Sequence, residues 1–206
     1  FSHVSGLIIL DMYNNGLTKL PPSLRMLTRL KRLDISDNKL KSLEDLKNYS
    51  LADLIFEKNQ IRELPDFARF NKLENVNADS NLISGVNLAC QTLQTIVLSN
   101  NMINTIRFGQ LPELKNLILA KNRIFFLPNM ERISHLEYLD ISSNEIEELP
   151  KLPESLESLL ANNNKLMEIN IRLPLLELLN LENNRLHGVP DFSQNPNIQD
   201  LNMSMN

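Results

Sequence analysis

The residues best suited to chemistry in this chain are three histidines, one cysteine and several carboxylates. His3, His135 and His187 fall in different segments and lack the spacing of metal ligands, which favours solvated surface positions. Glu137 and Asp140 share a face, but carboxylates in such a pattern are usually solvated. No Ser/His/Asp set and no phosphate-binding glycine loop occurs. The sequence therefore predicts no enzyme active site, no metal and no cofactor.

Cys90 is the single cysteine of the chain. It lies three residues before Leu93, as Leu27 lies three residues before Leu30, which favours a packed core thiol over a nucleophile. One cysteine cannot form an internal disulfide, and this favours a reducing compartment.

Composition excludes two broad classes of partner. The chain has 206 residues, 42% of them hydrophobic and 22% charged, with a formal net charge of −4. This balance offers no basic field for nucleic acid. No apolar run, that of residues 7–10 included, exceeds four residues, which is far shorter than the roughly 18 residues of a membrane span. We therefore expect neither nucleic-acid binding nor membrane insertion.

Asparagine is the most regular feature of the sequence. Ten of the 28 asparagines recur every 20 to 23 residues. A run of ten at this spacing is not credible as chance, so it marks an internal repeat. These asparagines are Asn15, Asn38, Asn59, Asn81, Asn101, Asn122, Asn144, Asn164, Asn184 and Asn206.

Each asparagine belongs to the pattern L-x-x-L-x-L-x-x-N-x-L, with other apolar residues allowed at the leucine positions. The L-x-L alternation predicts a short strand with alternate side chains inward. One repeat cannot bury its apolar face alone, so neighbouring repeats must stack. The copies begin at Leu7, Leu30, Leu51, Leu73, Leu93, Leu114, Leu136, Leu156, Leu176 and Ile198.

The pattern resembles the leucine-rich-repeat family. Residues 30–40 are similar to the short repeats of eukaryotic phosphatase regulators, and residues 149–164 are similar to those of bacterial type III effectors. The resemblance implies an α/β solenoid, a right-handed horseshoe of about ten repeats with a parallel sheet on its concave face. It also implies that the ten asparagines form a structural ladder rather than a binding site.

The segments that return from one strand to the next hold all ten prolines, which cannot donate to a sheet. With about ten residues each, they predict extended or 3-10 conformation on the convex side. We expect one leucine-rich-repeat domain over residues 1–206. Phe1 and Val4 repeat the spacing of Leu24 and Leu27 before Leu30, so the first and last repeats are expected to be truncated parts of a longer protein.

The outward strand positions predict an acidic concave face. Counting the first leucine as position one, positions two, three, five, seven and eight point away from the core. They carry 13 acidic and 5 basic residues, a net charge of −8. The acidic ones are Asp11, Asp34, Asp37, Asp53, Glu57, Glu74, Asp79, Glu137, Asp140, Glu157, Glu177, Glu182 and Asp200. The basic ones are Lys31, Arg32, Lys58, Lys115 and Lys121.

Apolar and aromatic side chains interrupt this acidic face. Apolar residues within a charged field are typical of protein interfaces, although branched residues also simply favour strands. The candidate partner-binding residues are Tyr13, Ile55, Val97, Ile118, Tyr138, Asp140 and Leu160.

The leading hypothesis is a protein-interaction module for a partner with a basic surface, in the cytoplasm or delivered into a host cell; the oligomeric state stays open. The first alternative is the recognition arm of a larger enzyme, such as a ubiquitin ligase, phosphatase or GTPase. The second is an extracellular receptor ectodomain, which glycans at the sequons Asn48-Tyr-Ser50 or Asn202-Met-Ser204 would favour.

Overall fold

One parallel sheet of ten short strands runs along the molecule. The computed structural model describes residues 4–206, so Phe1 and His3 lie outside it. Within this range the strands are β1 (Ile9–Asp11), β2 (Arg32–Asp34), β3 (Asp53–Ile55), β4 (Asn75–Asn77), β5 (Gly85–Leu88), β6 (Thr95–Val97), β7 (Thr105–Phe108), β8 (Asn116–Ile118), β9 (Tyr138–Asp140), β10 (Ser158–Leu160), β11 (Leu178–Asn180) and β12 (Asp200–Asn202).

The large sheet has the strand order β1-β2-β3-β4-β6-β8-β9-β10-β11-β12, and every pair in it is parallel. The register aligns the same repeat position in every coil, so that Ile96 pairs with Leu117 and Leu117 pairs with Leu139. This architecture confirms the predicted parallel-sheet solenoid of about ten repeats.

The inward side chains of the repeat form one continuous core. In the large sheet, the central residue of each strand from β2 to β11 is buried, while the residues on either side of it are at least partly exposed. Leu33, Leu117 and Leu159 have no exposed surface. Cys90 is also buried, and its sulfur lies 3.7 Å from the carbonyl oxygen of Phe70. The thiol packs in the core because the residue that lies three positions before the first leucine of a repeat points inward.

The return segments have the extended and 3-10 conformations expected of them. Two 3-10 helices, Pro22–Met26 and Phe67–Arg69, are the helical elements of the described chain. The strands β5 and β7 pair with each other in a second, two-stranded sheet. Gly109 follows β7, where a Cβ atom would come within 2.8 Å of the Ala89 Cβ atom. Adjacent return segments are therefore closely packed here.

A left-handed residue turns the chain after every strand of the large sheet. It occupies position eight, directly before the asparagine, and its φ angle lies between 51° and 59° in all ten repeats. Short polar residues tolerate this conformation best. Four of the ten are asparagines: Asn14, Asn100, Asn163 and Asn183.

Candidate functional site

The ten asparagines form a ladder of hydrogen bonds along one edge of the sheet, and Asn101 is representative. Its Oδ1 accepts from the backbone N–H of Ile83 at 3.0 Å, and its Nδ2 donates to the carbonyl oxygen of Ala78 at 3.0 Å. The same Nδ2 lies 3.1 Å from the Leu98 oxygen and 3.0 Å from the Ser99 oxygen. One amide thus joins its own turn to the neighbouring coil.

These bonds have one direction along the ladder. The side-chain amide of Asn101, and of its equivalents from Asn38 to Asn206, donates to the preceding coil. The reason lies in the strand hydrogen bonds beside it. The backbone N–H of position six donates to the next coil, as that of Ala78 does to the Val97 oxygen, and its own carbonyl oxygen has no backbone donor. The side-chain amide of the asparagine in the next coil donates to that oxygen, as Asn101 does to Ala78.

The residue at position five, the last of each strand, separates the repeats into two groups. In six repeats it is an aspartate or asparagine whose side chain accepts from the backbone N–H two residues later. In Asp140 this bond to the Ser142 N–H is 2.9 Å long, and the Ser142 hydroxyl donates to the same oxygen. These polar residues therefore stabilise their own turn.

In the other four repeats position five is apolar and this bond is lost. The residues are Ile55, Val97, Ile118 and Leu160, each partly exposed. Within residues 4–206, the N–H groups two residues later have no protein acceptor. Turn formation explains an aspartate or asparagine at this position, but it does not explain these apolar residues. Branched residues favour strands, and partly exposed apolar residues also suit a protein contact, so these positions are a candidate site.

The sheet brings most of the predicted site residues together. Val97 pairs with Ile118, Ile118 with Asp140, and Asp140 with Leu160 on the successive strands β6, β8, β9 and β10. Tyr138 lies on the same outward face of β9. We call these five residues the central patch.

Two predicted residues lie apart from the central patch. Ile55 is separated from Val97 by β4, which carries Asn77. Tyr13 belongs to the first coil, two coils from Ile55, and half of its surface is exposed. The structure therefore gathers five of the seven residues and leaves these two outside the cluster.

Charged side chains surround the central patch. The Lys115 ammonium lies 3.2 Å from the Glu137 carboxylate, while Glu157 and Glu177 continue the same row on the next coils without an ion pair within the described residues. Partial burial raises the pKa of the Tyr138 hydroxyl, and the Asp140 carboxylate beside it raises it further. Both effects oppose a negative charge on the tyrosine.

Two protein-family models match this chain. "Leucine Rich repeats (2 copies)" matches residues 5–48, and "Leucine Rich Repeat" matches residues 135–159. The chain is a leucine-rich-repeat protein. The resemblance seen in the sequence is thereby confirmed.

Known leucine-rich-repeat proteins similar to this chain come from several kingdoms. A protein phosphatase 1 regulatory inhibitor subunit homolog of Arabidopsis thaliana is 30% identical over 150 residues, covering 68% of this chain and 46% of the relative. Toll-like receptor 2 type-1 of Gallus gallus is 32% identical over 125 residues, covering 57% and 16%. A solved leucine-rich-repeat protein of Leptospira interrogans superposes with a TM-score of 0.82 and 30% identity, covering 96% and 54%. The chain thus spans about half, or less, of these proteins.

Sequence reasoning missed a second set of buried asparagines in the return segments. Asn48 donates to the carbonyl oxygens of Leu24 and Leu27, and Asn195 donates to that of Ile171. Both are buried, so the sequon at Asn48 is inaccessible in the folded leucine-rich repeat. Their position in the repeat predicts this burial. Asn48 and Asn195 each lie three residues before the first residue of a repeat, the same inward position that Cys90 has.

Neither a metal-binding cluster nor a membrane-crossing helix is present among the described residues. No group of three or more histidine, cysteine or acidic residues in 4–206 is placed to hold a metal ion. Over the same range, no helix has the length and apolar character needed to cross a bilayer.

Proposed function

We propose that this leucine-rich-repeat chain binds a protein partner through the central patch, on the concave face of the sheet. The observation that supports this most is the set of position-five residues. Val97, Ile118 and Leu160 replace a turn-stabilising aspartate or asparagine with an apolar side chain on the outward face. Interface residues commonly reduce local stability in this way.

The size and charge of the face support the same proposal. Ten strands at about 4.8 Å each span roughly 45 Å, enough for a standard interface of about 800 Å² per partner. The 13 acidic and 5 basic outward residues give the face a net charge of −8. A partner with a basic surface complements it, and association with such a partner weakens as salt rises.

Affinity capture with a matched pair of variants tests the proposal. The wild type and an Ile118→Glu/Leu160→Glu double variant are compared for the proteins they retain, after circular dichroism shows equal folding. Tyr13→Glu is the control, because it adds a charge to the same face outside the central patch. We expect the double variant alone to lose its partners, and retention by all three proteins would contradict the proposal.

Salt dependence of the captured complex tests the electrostatic part separately. We expect the affinity to fall between about 50 and 500 mM salt, because screening weakens the attraction of the acidic face for a basic partner. An affinity that stays constant over this range would contradict a basic partner while leaving the apolar contact intact.

A second candidate is regulation of a protein phosphatase, in which this region is one arm of a larger assembly. The similarity to the Arabidopsis regulatory inhibitor subunit homolog favours it. Direct binding of purified protein phosphatase 1 to the chain tests it. Binding that Ile118→Glu/Leu160→Glu abolishes would support both candidates, whereas absence of binding would contradict the second alone.

We also propose that the protein functions in a reducing compartment, either the cytoplasm or a host cell into which it is delivered. The buried, unpaired Cys90 and the buried sequon residue Asn48 support this assignment. A mature protein that carries a glycan on Asn202 would contradict it.

A further inference from the structure

An exposed apolar surface also lies away from the strand face, on the return segments that follow β8, β9 and β10. Phe125 and Phe126 expose 64% and 58% of their surface, and Met167 exposes 45%. They line one open depression of about 670 Å³ together with Glu147, Glu148, Glu168 and His187. We call Phe125, Phe126, Met167 and these three glutamates the turn-side patch.

The two phenylalanines are not needed by the repeat. They occupy positions twelve and thirteen, where the neighbouring repeats have Asn104-Thr105 and Glu147-Glu148. Phe56, Phe67 and Phe70, by contrast, are buried in the core. A repeat that folds with polar residues at these positions gains little from aromatic ones, so their exposure indicates an external contact.

The three glutamates set the charge of the turn-side patch. None of the ion pairs found within residues 4–206 involves Glu147, Glu148 or Glu168. Unpaired carboxylates around aromatic rings create a negative potential, and the ring faces add to the attraction for a cation. Lysine and arginine side chains satisfy both features, since their alkyl stems pack on apolar surface while their charged ends meet carboxylates.

We propose that the turn-side patch docks a cationic, apolar peptide segment of a partner protein, one in which a large apolar side chain is flanked by lysines or arginines. This surface is distinct from the central patch, so a partner held there leaves the concave face free. A second copy of this chain is a poor occupant in a symmetric contact, because the same three glutamates would then face one another.

Titration with two model peptides tests the proposal on the full chain. One peptide alternates leucine with lysine, and the other alternates leucine with glutamate. The ε-methyl NMR resonance of Met167 reports on the turn-side patch, and that of Met26, half exposed outside it, is the internal control. We expect the lysine peptide to shift the Met167 resonance in a saturable manner, with little change at Met26. Equal shifts at both methionines, or equal binding of both peptides, would overturn the proposal.

Two double variants then separate the apolar and charged contributions. Phe125→Ser/Phe126→Ser should lower the affinity for the lysine peptide at least about tenfold, as expected when interface anchors are removed. The Met167 resonance measures this affinity. Glu147→Gln/Glu148→Gln should lower this affinity by a smaller factor and should reduce the salt dependence of binding. Met26→Ser, the matched removal of an exposed apolar side chain elsewhere, should leave the affinity unchanged. Unchanged affinity in the phenylalanine variant would overturn the proposal.

Sedimentation of the wild type at rising concentration tests whether a second copy of this chain occupies the turn-side patch. We expect a monomer–oligomer equilibrium, if present, to be the same in wild type and in Phe125→Ser/Phe126→Ser. Self-association that the phenylalanine variant abolishes would overturn the proposal, because a second copy would then occupy the patch.

Discussion

Two rows of residues run side by side along the sheet of this protein, one residue of each per coil. The asparagine row is the same in all ten repeats, and its hydrogen bonds join each coil to the one before. The position-five row holds an aspartate or asparagine in six repeats and an apolar residue in four. The fold therefore requires the ladder asparagine in every repeat, whereas it accepts either a polar or an apolar residue at position five.

The difference has a physical basis in burial. A ladder asparagine such as Asn101 satisfies backbone groups that have no access to water, and losing it leaves them unpaired. A position-five aspartate such as Asp140 satisfies an N–H at a partly exposed turn, where water can replace it. Selection can therefore exchange the second residue for an apolar one at a modest cost in stability.

The largest expected contrast is between two adjacent residues of β8. Leu117 has no exposed surface, so Leu117→Ala should lower the free energy of unfolding by about 2–5 kcal/mol. Ile118 points outward and is partly exposed, so Ile118→Ala should lower it by less than about 1 kcal/mol. Urea denaturation followed by circular dichroism measures both, and similar losses would show that Ile118 belongs to the core.

The next contrast is within the asparagine row. Asn101→Ala removes bonds to the buried backbone of two coils and should cost about 2–3 kcal/mol. Asn15 is exposed and bonds to a carbonyl oxygen of its own turn, so Asn15→Ala should cost less than about 0.5 kcal/mol. The same denaturation experiment compares them, and equal costs would refute the role assigned to the ladder.

A smaller effect is expected in the position-five row. Asp140→Ala removes the acceptor of the Ser142 N–H and hydroxyl, and should cost about 1 kcal/mol. Asp140→Asn keeps an acceptor oxygen and should cost less than that. If alanine and asparagine were equally destabilising, charge rather than the hydrogen bond would be the reason for Asp140.

The smallest effect is on the ionisation of Tyr138. Partial burial is the main cause of its raised pKa, and the Asp140 carboxylate adds to it. Asp140→Asn should therefore lower the pKa of Tyr138 part of the way to that of free tyrosine, as measured by NMR titration of the labelled ring.

The same raised pKa gives stability a defined dependence on pH. The folded protein holds the tyrosine proton more tightly than the unfolded chain does, so this contribution is complete below pH of about 10 and is lost as pH rises through the folded pKa. A Tyr138→Phe variant should lack this loss, and an identical alkaline profile in both proteins would contradict it.

The sequence was sufficient to predict the features that each repeat carries within itself. The inward leucines, the ladder asparagines and the proline-bearing return segments follow from side-chain chemistry at a fixed period. The direction of the ladder could not be predicted, because it depends on which carbonyl oxygens of the neighbouring coil lack a backbone donor. The sequence also could not predict that Phe125 and Glu147 line one depression, since this depends on how successive return segments lie together.

We propose that the apolar position-five residues serve binding at the expense of the turn. The double variant Ile118→Asn/Leu160→Asn tests it most directly, because asparagine restores the side-chain acceptor that six other repeats have. Its free energy of unfolding and its affinity for the captured partner are measured on one preparation. We predict a stability within about 1 kcal/mol of the wild type and an affinity at least about tenfold lower. Undiminished affinity in a folded variant would contradict the claim.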